Sequence, residues 1–198
     1  HFPQDRFYAL GGVPSRDILK LLATEQGRSL DHIAVAHEKE EAYLPLMAQV
    51  EKRFPQHRFV LAAAPSVPDE VYASHLAGTT IEVVKGRTYD VLRHARAALV
   101  TSGTATLETA LFGVPEVVCY SGSALNVWIA KRLVDIRFIS LVNLIMDRQV
   151  VRELIQSDLT VDALSDELAQ LLADGARRTT MLNDLNELQR KLGGPGAG

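Results

Sequence analysis

One cysteine in 198 residues rules out an intramolecular disulfide framework. The thiol, Cys119, sits in the apolar run "EVVCY", where it reads as a small hydrophobe and fits a reducing compartment. No window approaches the ~18 uninterrupted apolar residues of a membrane span, and the opening "HFPQDRF" has no signal-peptide pattern. It also has no initiator Met, so the chain reads as a fragment. Excess charge of one sign is scarce too: 21 Lys and Arg against 24 Asp and Glu give a net charge of -3, which removes the general electrostatic case for nucleic acid as a partner. The six histidines, His1, His32, His37, His57, His75 and His94, show neither the i, i+4 nor the Cys-His spacing of a metal site, so no metal is assigned. The Rossmann G-x-G-x-x-G is absent. Ser102 stands in "TSGTA" rather than in a G-x-S-x-G elbow, which argues against a hydrolase triad.

What is present is alternation. Short apolar runs at "HIAVA", "RFVLAAA", "TIEVV", "AALVTS", "EVVCY" and "RFISL" read as strands. Between and after them, "RDILKLLATEQ", "EEAYLPLMAQVEKRF", "PDEVYASHLA", "TYDVLRHAR", "TATLETALFG", "ALNVWIAKRLV", "RQVVRELIQ", "VDALSDELAQLLADG" and "RRTTMLNDLNELQRKLGG" carry helical spacing. The pattern predicts an α/β fold with a doubly wound, mostly parallel sheet and C-terminal helices. Gly113 and Pro115 are placed to end the helix "TATLETALFG". Asp162 or Ser165 is expected to cap the penultimate helix and Gly175 to end it, and the tail "GGPGAG" is expected to be disordered.

In a doubly wound sheet, ligands bind at the carboxyl ends of the strands. The turn Ser102, Gly103, Thr104 lies on that edge, as do loops at "APS", "YSGSA" and "SLVNL". Unpaired amides at the opening of a helix favour an anion such as a phosphate, but the same turn equally suits a plain N-cap. Glu108, one turn into the helix, is placed either to reach a ribose diol or to face solvent. Asn143 either caps a turn or hydrogen-bonds a ligand, and Glu153 reads by default as an exposed helix position. Trp128 with Lys131, Arg132 and Arg137 reads either as a core aromatic beside a solvated face or as a surface resting on lipid headgroups.

The stretches "LVTSGTATLETALFGVPEVVCY", "SALNVWIAKRL" and "FISLVNLIMDRQVVRELIQ", with "LPLM", "FVLAAAPS", "TYDVLRHARAALV" and "LGGPGA", resemble the nucleotide-binding half of the lipid-A-disaccharide synthases, inverting glycosyltransferases of the two-domain GT-B fold. The resemblance divides the chain into a poorly matched segment 1–43, which includes a first strand, a UDP-sugar-binding domain 44–192 and a tail 193–198. It implies transfer of diacylglucosamine from UDP-diacylglucosamine to diacylglucosamine 1-phosphate, at the cytoplasmic surface of the inner membrane of a Gram-negative bacterium, with a second copy of the chain as a further expected partner and no cofactor. Ser102, Gly103, Thr104, Ala105 and Thr106 would border the donor phosphates, Glu108 would lie near the ribose, and Asn143, Arg148 and Glu153 would complete that wall. Two departures follow from the comparison. The family's Pro-Gly-Ser-Arg loop is missing where "HIAVA" runs directly into "HEKEEAYLPLM", and the acceptor-binding half with its carboxylate base is absent, so no catalytic residue is assigned and the chain alone is expected to be weak or inactive. Another GT-B or epimerase half, or a nucleotide-binding module without turnover, are the alternatives.

Overall fold

The computed structural model describes residues 32–101, 103–121 and 137–193, with backbone alone for residues 32–40. Ser102, "RDILKLLATEQ", "ALNVWIAKRLV" and the tail from residue 194 lie outside the described residues. The elements run α1 (His32–Arg53), β1 (Val60–Ala63), α2 (Asp69–Leu76), β2 (Glu82–Lys85), α3 (Thr88–His94), β3 (Ala98–Thr101), α4 (Thr104–Leu111), β4 (Glu116–Tyr120), α5 (Leu141–Met146), β5 (Arg152–Ile155), a 3-10 turn (Gln156–Asp158), α6 (Val161–Leu172) and α7 (Ala176–Lys191).

Among the described residues every pairing is parallel: β1 with β2 in one sheet, and β3-β4-β5 in another. Parallel strands are joined by crossovers that lay helices on the sheet faces. Accordingly Glu116 to Cys119 of β4 are all buried, on both faces of the strand. The main core joins Tyr43, Met47 and Val50 of α1 with β4 and with Leu164, Leu168, Leu171, Met181, Leu185 and Leu188 of α6 and α7. A smaller core of Leu44, Ala63, Val67, Tyr72 and Leu76 lies under the first sheet. This is the expected α/β class of Rossmann-like kind, with its C-terminal helices in place.

Four local expectations are corrected. "HIAVA" is not the first strand but the opening of the 22-residue α1: no turn residue separates it from the Ala-, Glu- and Lys-rich stretch behind it, so the helix extends backwards through it. "RFISL" is not a strand, because Ser140 caps α5, accepting a hydrogen bond from the Asn143 amide, and "SLVNL" is therefore a helix start rather than a loop. "RQVVRELIQ" is not a helix. The Val150 and Val151 amides donate to Asn143 Oδ1 at 2.8 and 3.0 Å, and the residues that follow pair with β4. Finally, Thr160 rather than Asp162 or Ser165 caps α6, accepting from the Ala163 amide at 3.2 Å, and Gly175 precedes α7 as its N-cap instead of ending α6.

Candidate functional site

The register brings three strand ends to one edge. Thr101 pairs with Cys119, and Tyr120 with Ile155, so the turn after β3 and the chain leaving β4 and β5 share the carboxyl side. Between β3 and α4 stands Gly103, with φ 123° and ψ -153°. That region is essentially closed to side chains, so the sharp turn needs glycine. Gly103 is the N-cap of the eight-residue α4 and has no side chain to cap it. Its carbonyl accepts from the Thr106 amide at 3.3 Å and from Thr106 Oγ1 at 2.9 Å. The Thr104 and Ala105 amides precede the first helical acceptors, and neither donates to a described residue beyond the helix.

α4 is set firmly behind those amides. Thr106, Thr109 and Ala110 are buried, and Thr109 Oγ1 donates to the Ala105 carbonyl at 2.8 Å. At the other end the Gly113 amide donates to the Ala110 carbonyl and the Val114 amide to that of Thr109, with φ 69° at Gly113. This is the Schellman closure that Gly113 and Pro115 predicted. Gln189 Nε2 of α7 takes the Leu111 carbonyl at 2.9 Å. Glu108, one turn from the open end, is half-buried; desolvation raises its carboxyl pKa, and no ion pair with a described residue offsets it.

The other three predicted residues are held by the chain itself. Asn143 is fully buried, and besides accepting from Val150 and Val151 its Nδ2 donates to the Val151 carbonyl at 2.9 Å and to Glu153 Oε1 at 2.8 Å. The Glu153 carboxylate also accepts from the Ile139 and Ser140 amides, both at 2.9 Å. Arg148 pairs with Asp184 at 2.8 Å and Glu187 at 2.7 Å, both on α7, and these partners raise its pKa. Glu153 and Arg152 also line an open groove of about 370 Å³ beside β5, with Ser157, Asp158 and Thr160. The sequence reading did not anticipate that groove, because it took β5 for a helix. Among the described residues no three His, Cys, Asp or Glu side chains are grouped to hold a metal.

Together the parallel strands, the glycine turn and the open amides of α4 define an α/β domain of Rossmann-like class whose carboxyl edge suits an anionic group. Residues 38–194 match the lipid-A-disaccharide synthetase family, and the chain belongs to that family. It is 35% identical over 160 residues to the lipid-A-disaccharide synthase of Myxococcus xanthus (strain DK1622), covering 78% of this chain and 42% of that protein. The synthase of Anaeromyxobacter dehalogenans (strain 2CP-1 / ATCC BAA-258) is 39% identical over 161 residues, with the same coverage of 78% and 42%. That of Geobacter metallireducens (strain ATCC 53774 / DSM 7210 / GS-15) is 37% identical over 146 residues, 73% of this chain and 38% of that protein. The chain thus spans about two fifths of the length of these curated relatives, 42% in the first two.

Proposed function

We propose that this chain is the donor-binding part of a glycosyltransferase that makes the lipid A disaccharide, and that it binds UDP-diacylglucosamine through its diphosphate at the turn before α4. The observation that carries the reading is the pair of amides at Thr104 and Ala105, which donate to no described residue beyond the helix and stand behind a glycine whose φ of 123° the turn requires. A diphosphate supplies acceptors, and the helix dipole adds partial positive charge in the same place. Ser102 to Thr106 border the phosphates, and Glu108 accepts from the ribose hydroxyls, for which its unpaired carboxylate is suited. Asn143, Arg148 and Glu153 support that wall from behind, through their bonds within the chain. Departure of the diphosphate is stabilised by fixed donors and the dipole. The acceptor is diacylglucosamine 1-phosphate, and the enzyme works at the inner-membrane surface. The association proposed is peripheral; among the described residues no helix is long and apolar enough to cross a membrane.

Calorimetric titration with UDP and with uridine tests the donor role. Saturable binding of UDP, much weaker for uridine, supports it; equal or absent binding of both to the folded chain contradicts it. One observation favours a second reading, nucleotide binding without turnover. α1 runs unbroken through the residues where the family's strand and phosphate-binding loop are expected. In either reading the chain binds UDP, and its transfer activity on its own is weak or nil.

A further inference from the structure

Among the helix starts at the carboxyl edge, those of α4 and α5 differ. α4 opens on a glycine with free amides, whereas the entry to α5 already holds an anion, the Glu153 carboxylate. Three donors converge on it: the Ile139 amide, the Ser140 amide and Asn143 Nδ2 at 2.8 Å. A carboxylate offers about four lone-pair positions, so three quarters of its capacity is spent inside the chain. That leaves little with which to grip a ligand. What it holds matters for position. Glu153 lies in register with Val118 on β4, two residues before the strand ends, and α5 packs against α4. Asn143 braces the other end of the same clasp through Val150 and Val151, so residues 139–143 are tied to β5 through Glu153 and to the two residues that lead into it.

We propose that Glu153 is a positioning residue that never touches the donor: its carboxylate stands in for a bound anion at the entry to α5, fixing α5 against α4 and so fixing the wall of the donor site. The inference rests on the donor reading above for its link to UDP, while the clasp stands on the geometry alone. It separates the roles of the two glutamates, Glu108 facing the ligand and Glu153 holding the scaffold.

The test uses the full chain and its Glu153→Ala and Glu153→Gln variants, with three readouts. Amide hydrogen exchange at Ile139 and Ser140 reports the clasp. Urea unfolding reports global stability, and UDP titration under conditions where each variant is fully folded reports the site. The expected result is fast exchange at both amides in Glu153→Ala, UDP binding weakened ~10-fold in the folded protein, and partial recovery of both in Glu153→Gln, whose amide oxygen still accepts. Should Glu153→Ala not fold, Glu153→Gln carries the same comparison. Unchanged exchange at Ile139 and Ser140 overturns the clasp. Unchanged UDP affinity in a folded variant with fast exchange overturns the positioning role, leaving only a stabilising one. A wild-type chain that binds no UDP contradicts the donor reading instead, and the exchange measurement then decides the clasp alone.

Discussion

At Gly103 an added Cβ would meet no neighbour within 4 Å, so any cost of a side chain there comes from the backbone alone. With φ at 123°, Gly103→Ala is expected to lower unfolding free energy by about 1–3 kcal/mol in chemical denaturation and to weaken UDP binding as the turn relaxes. An alanine variant with wild-type stability would show that the turn has another conformation within easy reach. Glu108 carries a pH prediction. Desolvation raises its pKa, so it protonates at a higher pH than an ordinary carboxylate. In the proposed donor site the ionised form is the stronger acceptor for the ribose hydroxyls, so UDP affinity should fall as pH drops through that raised pKa. Glu108→Gln should bind more weakly and lose that part of the pH dependence. Glu116 is a different case, a fully buried carboxyl at the start of β4 whose two oxygens have no hydrogen-bond partner among the described residues. Burial pushes its pKa well up, so between its unfolded and folded pKa values the native state binds more protons than the unfolded one. Stability therefore falls as pH rises above the ordinary carboxylate range, and Glu116→Gln should flatten that slope in a urea-midpoint series from pH 5 to 9 (about the range where unfolded carboxylates are ionised). A parallel slope in both proteins would contradict the assignment.

Among the elements, β3, α4 and β4 were legible because their signals are local: a bounded apolar run, a glycine turn, 3.6-residue spacing and a Gly-x-Pro stop. The misread elements were settled at long range. The stretch through β5 has Val150, Val151, Leu154 and Ile155 at spacing that also fits a helix, and residues Arg152–Ile155 become a strand because β4 offers a partner and Asn143, seven residues upstream of Val150, takes the Val150 and Val151 amides a helix would have used. Asn143 and Glu153 were both visible as candidates, but nothing in their spacing revealed that they bond to each other. Removing the asparagine side chain takes the Oδ1 acceptor from the buried Val150 and Val151 amides and the Nδ2 donor from the Val151 carbonyl and Glu153, leaving Val150 only the Arg148 carbonyl at 3.1 Å. Asn143→Ala should therefore destabilise the chain by about 2–4 kcal/mol, read from the shift in denaturation midpoint at constant slope. A loss under ~0.5 kcal/mol, the usual scale of a surface change, would mean that other groups replace those bonds.

On the scale of the whole molecule, the sheet is the device that makes a site from distant residues. Register alone carries the ends of β3, β4 and β5 to one edge, and α7 reaches across to hold both α4, through Gln189 and the Leu111 carbonyl, and α5, through Lys191 and the Ile145 carbonyl. The family match covers this assembly as a unit, residues 38–194. The central claim is narrower: the open amides of α4 are where a diphosphate docks. Proline is tolerated at the first position of a helix yet has no N–H, so Thr104→Pro deletes one of those amides while leaving α4 intact. The most direct measurement is a two-dimensional amide NMR titration with UDP of the wild type and this variant. The account predicts that the largest shifts in the wild type fall on Thr104 and Ala105, and that Thr104→Pro keeps its unfolding midpoint but binds UDP at least ~10-fold more weakly. Shifts concentrated elsewhere, with undiminished affinity in a folded Thr104→Pro variant, would contradict it.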